Sequence, residues 1–325
     1  EERYGEMESD IKMAIDYLKD KKTGNIYTIG YKAALLLGSR IHLFTGDWET
    51  TIHYGESLLE LQPQLMDISK ETKATKAYYF SGSSAVINFY NPNNLEIIWN
   101  FNETPIYSLY TYYGLLSATG IDNLGYWLAV SSQTNYSGQK SLISMYDADL
   151  KTKTGDRRLL YWFIPPSNRT SAAYVTNFNT YKSLKYDIED GNKQMLLQCF
   201  RTGEIYVSLA EAYARRNAAG DAEKSISYLN RLRRNRINPY TELVMANFKT
   251  NEEWRQNRWN ERRRELCFEE CHRWWDMRRE GQKSVIHNYN EGGTIGNKFD
   301  LYTLKEKDPS FTLNFPLAER SLSPS

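Results

Sequence analysis

Apolar residues recur at helical spacing in blocks near the start of the chain. Over 6–19, Met7, Ile11, Ala14, Ile15 and Leu18 fall on one face and predict a helix. Lys21 to Gly24 breaks the pattern. It resumes over 28–45, where Tyr31, Ala34, Leu35, Gly38, Ile41 and Leu43 are available for burial. Gly46-Asp47 then reads as a stop and a cap. Glycine takes the left-handed C-cap conformation, and the aspartate accepts the first N–H groups of a third helix over 48–61.

The same device recurs downstream. Gly46-Asp47-Trp48-Glu49-Thr50-Thr51-Ile52-His53-Tyr54 lines up with Gly220-Asp221-Ala222-Glu223-Lys224-Ser225-Ile226-Ser227-Tyr228, sharing Gly, Asp, Glu, Ile and Tyr. The second copy follows a helix pattern over 204–217 that is rich in small residues. Helix, Gly-Asp turn and helix form the unit of tetratricopeptide-like hairpins. Roughly 150 residues separate the copies, so the chain is no simple solenoid.

Between them, 63–195 has another character. Asn91-Pro92-Asn93-Asn94, Pro105 and Pro165-Pro166 punctuate it, and only short strand-like runs such as Glu96-Ile97-Ile98-Trp99-Asn100-Phe101 interrupt the loops. The expected organisation is therefore helical hairpins over 1–62, an irregular aromatic-rich insertion over 63–195, and a hairpin with a long helix and tail over 196–325. The fold class is mostly α, in one compact unit.

Composition narrows the function. The 325 residues are 41% hydrophobic, enough for a sizeable core, and the net charge of +1 argues against a nucleic-acid partner. The 25 Tyr and 8 Trp are the unusual feature, and they crowd the insertion: Tyr78, Tyr79, Tyr90, Trp99, Tyr107, Tyr110, Tyr112, Tyr113, Tyr126, Trp127, Tyr136 and Trp162. Such rings serve a wet recognition surface or glue loops to the helices, and both uses are open to each one. Cys199, Cys267 and Cys271 are too few for a disulfide scaffold. Cys267 and Cys271, four apart, share a helix face and read as packing residues. No metal site or cofactor is implied. No run of apolar residues is long enough for a membrane span, and the opening Glu1-Glu2-Arg3 reads as the middle of a protein.

Residues 251–280 predict one long helix with aromatics and ion pairs interleaved. Glu265, Glu269 and Arg273 run at steps of four. Glu265 and Glu269 among Arg262, Arg263, Arg264 and Arg273 read as a structural ion network rather than an acid–base pair. This stretch resembles the C-terminal signature of SusD/RagB proteins: Arg262 to Leu266, Phe268-Glu269, then His272-Arg273-Trp274-Trp275-Asp276-Met277-Arg278-Arg279. Where the family pattern has a glycine, this chain has Glu270-Cys271. Further stretches are similar in the family's order: Asp156-Arg157-Arg158, Arg201 to Ala212, Tyr228 to Arg236, and Phe315 to Pro324.

The resemblance implies a SusD-like α-α superhelix and a lipid-anchored lipoprotein on the cell surface, at the outer membrane of Bacteroidetes-type bacteria, with the anchor upstream of residue 1. It implies capture of an oligosaccharide and delivery to a TonB-dependent transporter (SusC-like). A peptide ligand within the same family, or a helical scaffold that binds only protein, are the alternatives. Pyranose rings stack on aromatic faces while amides and carboxylates meet their hydroxyls. The expected platform is Tyr112, Tyr113, Tyr126 and Trp127, with Asp122 and Asn123 as polar partners, beside Gly114, Gly120 and Gly125. Enzyme motifs are missing: there is no His-Glu-x-x-His, no Gly-x-Ser-x-Gly and no phosphate loop.

Overall fold

The computed structural model describes residues 2–22, 25–70, 94–100, 130–131, 135–136, 139–140, 142–149, 152, 154–164, 180–183, 198–267, 269–291, 294–306 and 308–311. They fall into two compact units, Glu1–Glu270 and Cys271–Ser325.

The first unit is built on helical hairpins. Helices α1 (Glu2–Leu18), α2 (Tyr31–Thr45) and α3 (Trp48–Leu61) pack in sequence. The short α4 (Arg157–Tyr161) lies within the insertion, and α5 (Thr202–Arg216), α6 (Asp221–Arg234) and α7 (Asn251–Glu265) follow it. α3 packs on α5, α5 on α6, and α7 on α5. Their apolar faces form one core that includes Leu35, Leu36, Leu58, Leu209, Ala212 and Leu229. Gly55 lets α3 and α5 approach closely, since a Cβ there would sit 2.8 Å from Leu209 Cδ2. Ile11 and Ile15 of α1 are buried as the spacing predicts, whereas Met7 is exposed.

The two Gly-Asp turns work differently. Gly46 (φ 85°) ends α2 in the left-handed conformation, and the Asp47 carboxylate accepts the Thr50 N–H at 3.1 Å. In the second copy the left-handed C-cap is Asn217, and Gly220 (φ 80°) immediately precedes α6. That turn is longer. Asp221 therefore reaches back to the Ala218 N–H at 2.8 Å and takes two hydrogen bonds from Arg216, instead of capping the helix ahead of it.

Among the described residues, twelve strands accompany the helices: β1 (Ile97–Asn100), β2 (Val130–Ser131), β3 (Asn135–Tyr136), β4 (Gln139–Lys140), β5 (Ala148–Asp149), β6 (Thr154–Asp156), β7 (Phe163–Ile164), β8 (Thr180–Ser183), β9 (Gln198–Arg201), β10 (Ile237–Asn238), β11 (Gln282–Glu291) and β12 (Thr294–Leu304). All the pairings are antiparallel, in the orders β1-β9, β10-β6-β5, β2-β8-β7, β3-β4 and β11-β12. The β1–β9 pair sets Ile97 opposite Arg201 and Asn100 opposite Gln198, and a second link, β10–β6, sets Ile237 opposite Asp156.

The long helix expected over 251–280 is broken. α7 ends at Glu265, and α8 (His272–Glu280) is a separate helix. Arg201 Nη2 donates to the Glu265 carbonyl at 2.8 Å, taking the acceptor that the next helical turn would use. Glu270 then takes a left-handed conformation (φ 43°) at the place where the family pattern has glycine. Cys267 and Cys271 consequently share no helix face. Cys267 is buried, with its Sγ 3.4 Å from the Tyr146 hydroxyl, and Cys271 is exposed.

The second unit contains α8, the β11–β12 hairpin and a short turn at Pro309–Phe311. Trp274 meets Phe311 edge to face at 4.9 Å. The hairpin is absent from the sequence reading. Gly292-Gly293 between two strand-like runs is its signature.

Candidate functional site

Four stretches that resemble the family pattern lie far apart in the chain, and the fold brings them to one place. Arg158 lies in α4, Arg201 ends β9, Arg236 precedes β10, and Glu261 and Glu265 line α7. Glu96, at the foot of β1, joins them. All six side chains are buried.

Glu265 is the hub. Its Oε1 accepts from Arg201 Nη1 at 2.7 Å and from Arg236 Nη2 at 2.9 Å; its Oε2 accepts from Arg158 Nη1 at 2.9 Å. Glu96 bridges Arg236 (2.6 Å) and Arg201 (3.0 Å). Asp156 caps α4 through the Arg158 N–H at 3.1 Å and holds the same residue's guanidinium at 2.7 and 2.9 Å. Glu269 takes a two-pronged bond from Arg201 at 2.6 and 2.8 Å. Glu261 meets Arg158 at 2.7 Å, and Arg233 and Arg264 at 2.5 Å each. Beside this cluster, Arg40 on α2 forks onto Glu204 of α5 with two bonds of 2.7 Å, stacks on Phe200 at 4.8 Å, and reaches Glu270 at 2.8 Å.

The charges fix one another. Burial alone would raise the Glu265 carboxyl, but Arg236, Arg201 and Arg158 outweigh it and hold the group well below the usual carboxylate range. Glu261 is held low in the same way by Arg158, Arg264 and Arg233. Burial would lower the Arg201 guanidinium, but Glu269 and Glu265 raise it well above its ordinary value. Such groups stay charged at neutral pH, so none of them is a general acid or base there. Among the described residues, no group of three or more His, Cys, Asp or Glu is placed to hold a metal ion.

Glu270 behaves in the opposite sense. Burial and the nearby Glu204 and Glu269 carboxylates outweigh Arg40, and its carboxyl is pushed up to about 7. A raised folded-state value means that its contribution to stability is complete below the unfolded value of about 4.5 and is lost as the pH rises through about 7. Wild-type stability, followed by urea titration, should therefore fall between pH 5 and 8 by on the order of 1–3 kcal/mol. Glu270→Gln should flatten that slope. Equal slopes in the two proteins would show that Glu270 does not titrate in this window.

The sequence-predicted platform, Tyr112, Tyr113, Asp122, Asn123, Tyr126 and Trp127, lies outside the described residues, as do Tyr78, Tyr79, Tyr90, Tyr107 and Tyr110. Two aromatics of the same set have described surroundings, and both serve the core. Trp162 is buried 5.9 Å from the Arg236 guanidinium, and Trp99 packs on Phe200 at 5.3 Å. The Glu265–Glu269 pair sits in an ion network as expected, and cations from distant elements join it. Arg158, Arg201 and Arg236 come from other elements, whereas neighbouring Arg262 donates to Ser208 and Arg264 to Glu261. Glu96 was missed by the sequence reading. The available signal was a carboxylate heading the apolar run Ile97-Ile98-Trp99, a pattern that asks for a buried partner.

Helical hairpins joined to the strand pairs by a buried ion cluster make a rigid scaffold, and the charges of Glu261, Glu265 and Arg201 are held fixed. Residues 69–319 match the SusD family, and the chain belongs to it. The family is one of non-catalytic binding proteins. No curated protein matches the chain. Among solved structures, a SusD superfamily protein from Bacteroides vulgatus superposes with a TM-score of 0.60 at 19% identity, over 99% of this chain and 63% of its own. A SusD-like protein from Bacteroides fragilis gives 0.59 at 18%, over 99% and 69%. A SusD-like carbohydrate binding protein from Bacteroides vulgatus gives 0.57 at 17%, over 94% and 57%. The chain thus spans 57% to 69% of the length of these three relatives.

Proposed function

We propose that this protein captures oligosaccharides at the cell surface and passes them to a TonB-dependent outer-membrane transporter of the SusC type, held to the membrane by a lipid anchor. Family membership supports the reading, as do relatives described as carbohydrate binding and as a putative sugar binding protein. Among the described residues, no helix is long and apolar enough to cross a membrane.

One observation in this chain carries the reading furthest. The segment holding Tyr112, Tyr113, Asp122, Asn123, Tyr126 and Trp127 follows β1 directly, and β1 is pinned at its foot by Glu96 and along its length by β9. Aromatic platforms bind rings well when their base is rigid, because less conformational entropy is lost on binding. The four rings would stack on pyranose faces while Asp122 and Asn123 meet hydroxyls. Trp127→Ala should weaken oligosaccharide binding about tenfold or more in calorimetry, the loss typical of an aromatic anchor. Unchanged affinity would remove Trp127 from the platform. A glycan array without a hit, alongside stable co-purification with the transporter, would replace sugar capture with protein binding alone.

A further inference from the structure

The turn between α7 and α8 holds Glu270 in the left-handed region, at φ 43°. A side chain with a Cβ is disfavoured there. Among the described residues, the other non-glycine with a positive φ is Asn217, a residue type that tolerates it. Glu270 has no such local excuse, so its surroundings must hold it.

They hold it through one oxygen. Glu270 Oε2 accepts from Arg40 Nη1 of α2 at 2.8 Å. That guanidinium is shared, because it also forks onto Glu204 of α5 with two bonds of 2.7 Å. The other oxygen, Oε1, is closed off from solvent and takes no hydrogen bond. Next along the turn, Glu269 is a further carboxylate, fixed by the two-pronged bond from Arg201 of β9.

Charge on Glu270 therefore works against its position. An ionised carboxylate needs donors at both oxygens, and Oε1 has none. Glu204 and Glu269 repel it, and its one cation is already matched by Glu204. A neutral carboxyl keeps the Arg40 bond through its carbonyl oxygen and escapes the repulsion. Burial first, then Glu204 and Glu269, outweigh Arg40 and push the carboxyl up to about 7. The side chain is already partly exposed, so water lies close by.

We propose that Glu270 is a proton-operated latch for the turn between α7 and α8. Neutral, it stays against Arg40 and the turn is closed. Ionised, it swings into solvent and residue 270 leaves the left-handed region, while Glu269 stays on Arg201. Any buried carboxyl would make overall stability depend on pH; a latch requires that the opening be local.

The test is hydrogen exchange on the full chain at about pH 5.5 and about pH 8.5, expressed as protection relative to the unstructured rate at each pH. The Glu269 N–H, bonded to the Leu266 carbonyl at 3.2 Å, and the Trp275 N–H, bonded to the Cys271 carbonyl at 3.0 Å, flank Glu270 and report on the turn. Their protection should fall about tenfold or more at the higher pH, while α6 keeps its own. Glu270→Gln, neutral throughout, should keep the turn closed at both values. Glu270→Gly has no carboxyl and no backbone penalty, and should show no pH dependence either. Equal protection of the wild-type turn at the two values overturns the proposal. So does a loss spread evenly over α6, which is global destabilisation, and so does a loss that persists in Glu270→Gln or Glu270→Gly. If a variant fails to fold, the wild-type comparison of the turn with α6 decides alone.

Discussion

Glu265→Leu should destabilise the first unit more than any other single change, by about 3–5 kcal/mol, the range for leaving buried charges unmatched. The reason is local. Three guanidiniums, from α4, β9 and the start of β10, converge on this one carboxylate. Without it, Arg236 keeps Glu96 and Arg158 keeps Asp156 and Glu261, but three like charges remain close together in a site closed to water. A surface pair gives the contrast. Glu252 is exposed and Arg255, three residues on, is half-buried, and Glu252→Gln should cost about 1 kcal/mol or less. Urea unfolding midpoints of the two variants measure the difference. Equal midpoints would mean that the cluster relaxes around the loss and does not depend on Glu265.

The second large effect reverses an ordinary rule. Glycine replaced by alanine inside a helix normally stabilises by about 0.5–1 kcal/mol. Gly203 sits at the start of α5, yet a Cβ there would fall on the Arg201 guanidinium and within 2.9 Å of both a Glu265 and a Glu96 carboxylate oxygen. The ion cluster fills the space that a side chain would need. Gly203→Ala should therefore destabilise by about 3 kcal/mol, as overpacking displaces charged groups that have nowhere to move. Gly5→Ala is the control. It lies in α1 with open space around it, and should be neutral or slightly stabilising. Thermal unfolding of both variants checks the sign. A stabilised Gly203→Ala protein would show that Arg201 has a second stable placement.

Both substitutions loosen the same joint. Arg201 ends β9, Glu96 precedes β1, and Arg236 ties them to the end of the α5–α6 hairpin.

The helical hairpins were legible in the sequence because their causes are local. The spacing that put Leu35, Ile41 and Leu43 inside was visible over a few turns, and Gly46-Asp47 stopped one helix and capped the next with groups only residues apart. Glu265 and Glu269 also read correctly as structural carboxylates, because arginines crowd their stretch. The identity of their partners was not legible. Helical spacing pointed to neighbouring arginines, whereas Arg158 and Arg201 are 107 and 64 residues away along the chain. Nor was the break after Glu265 visible, because it depends on an arginine from another element occupying a main-chain carbonyl. The resemblance to SusD proteins placed these motifs in the right order without saying why they belong together. Sequence alone thus determined the helices and the family, both of which rest on short-range pattern. Only the tertiary structure gathered Glu96, Arg158, Arg201, Arg236, Glu261 and Glu265 into one cluster, because a buried charge finds its match across space.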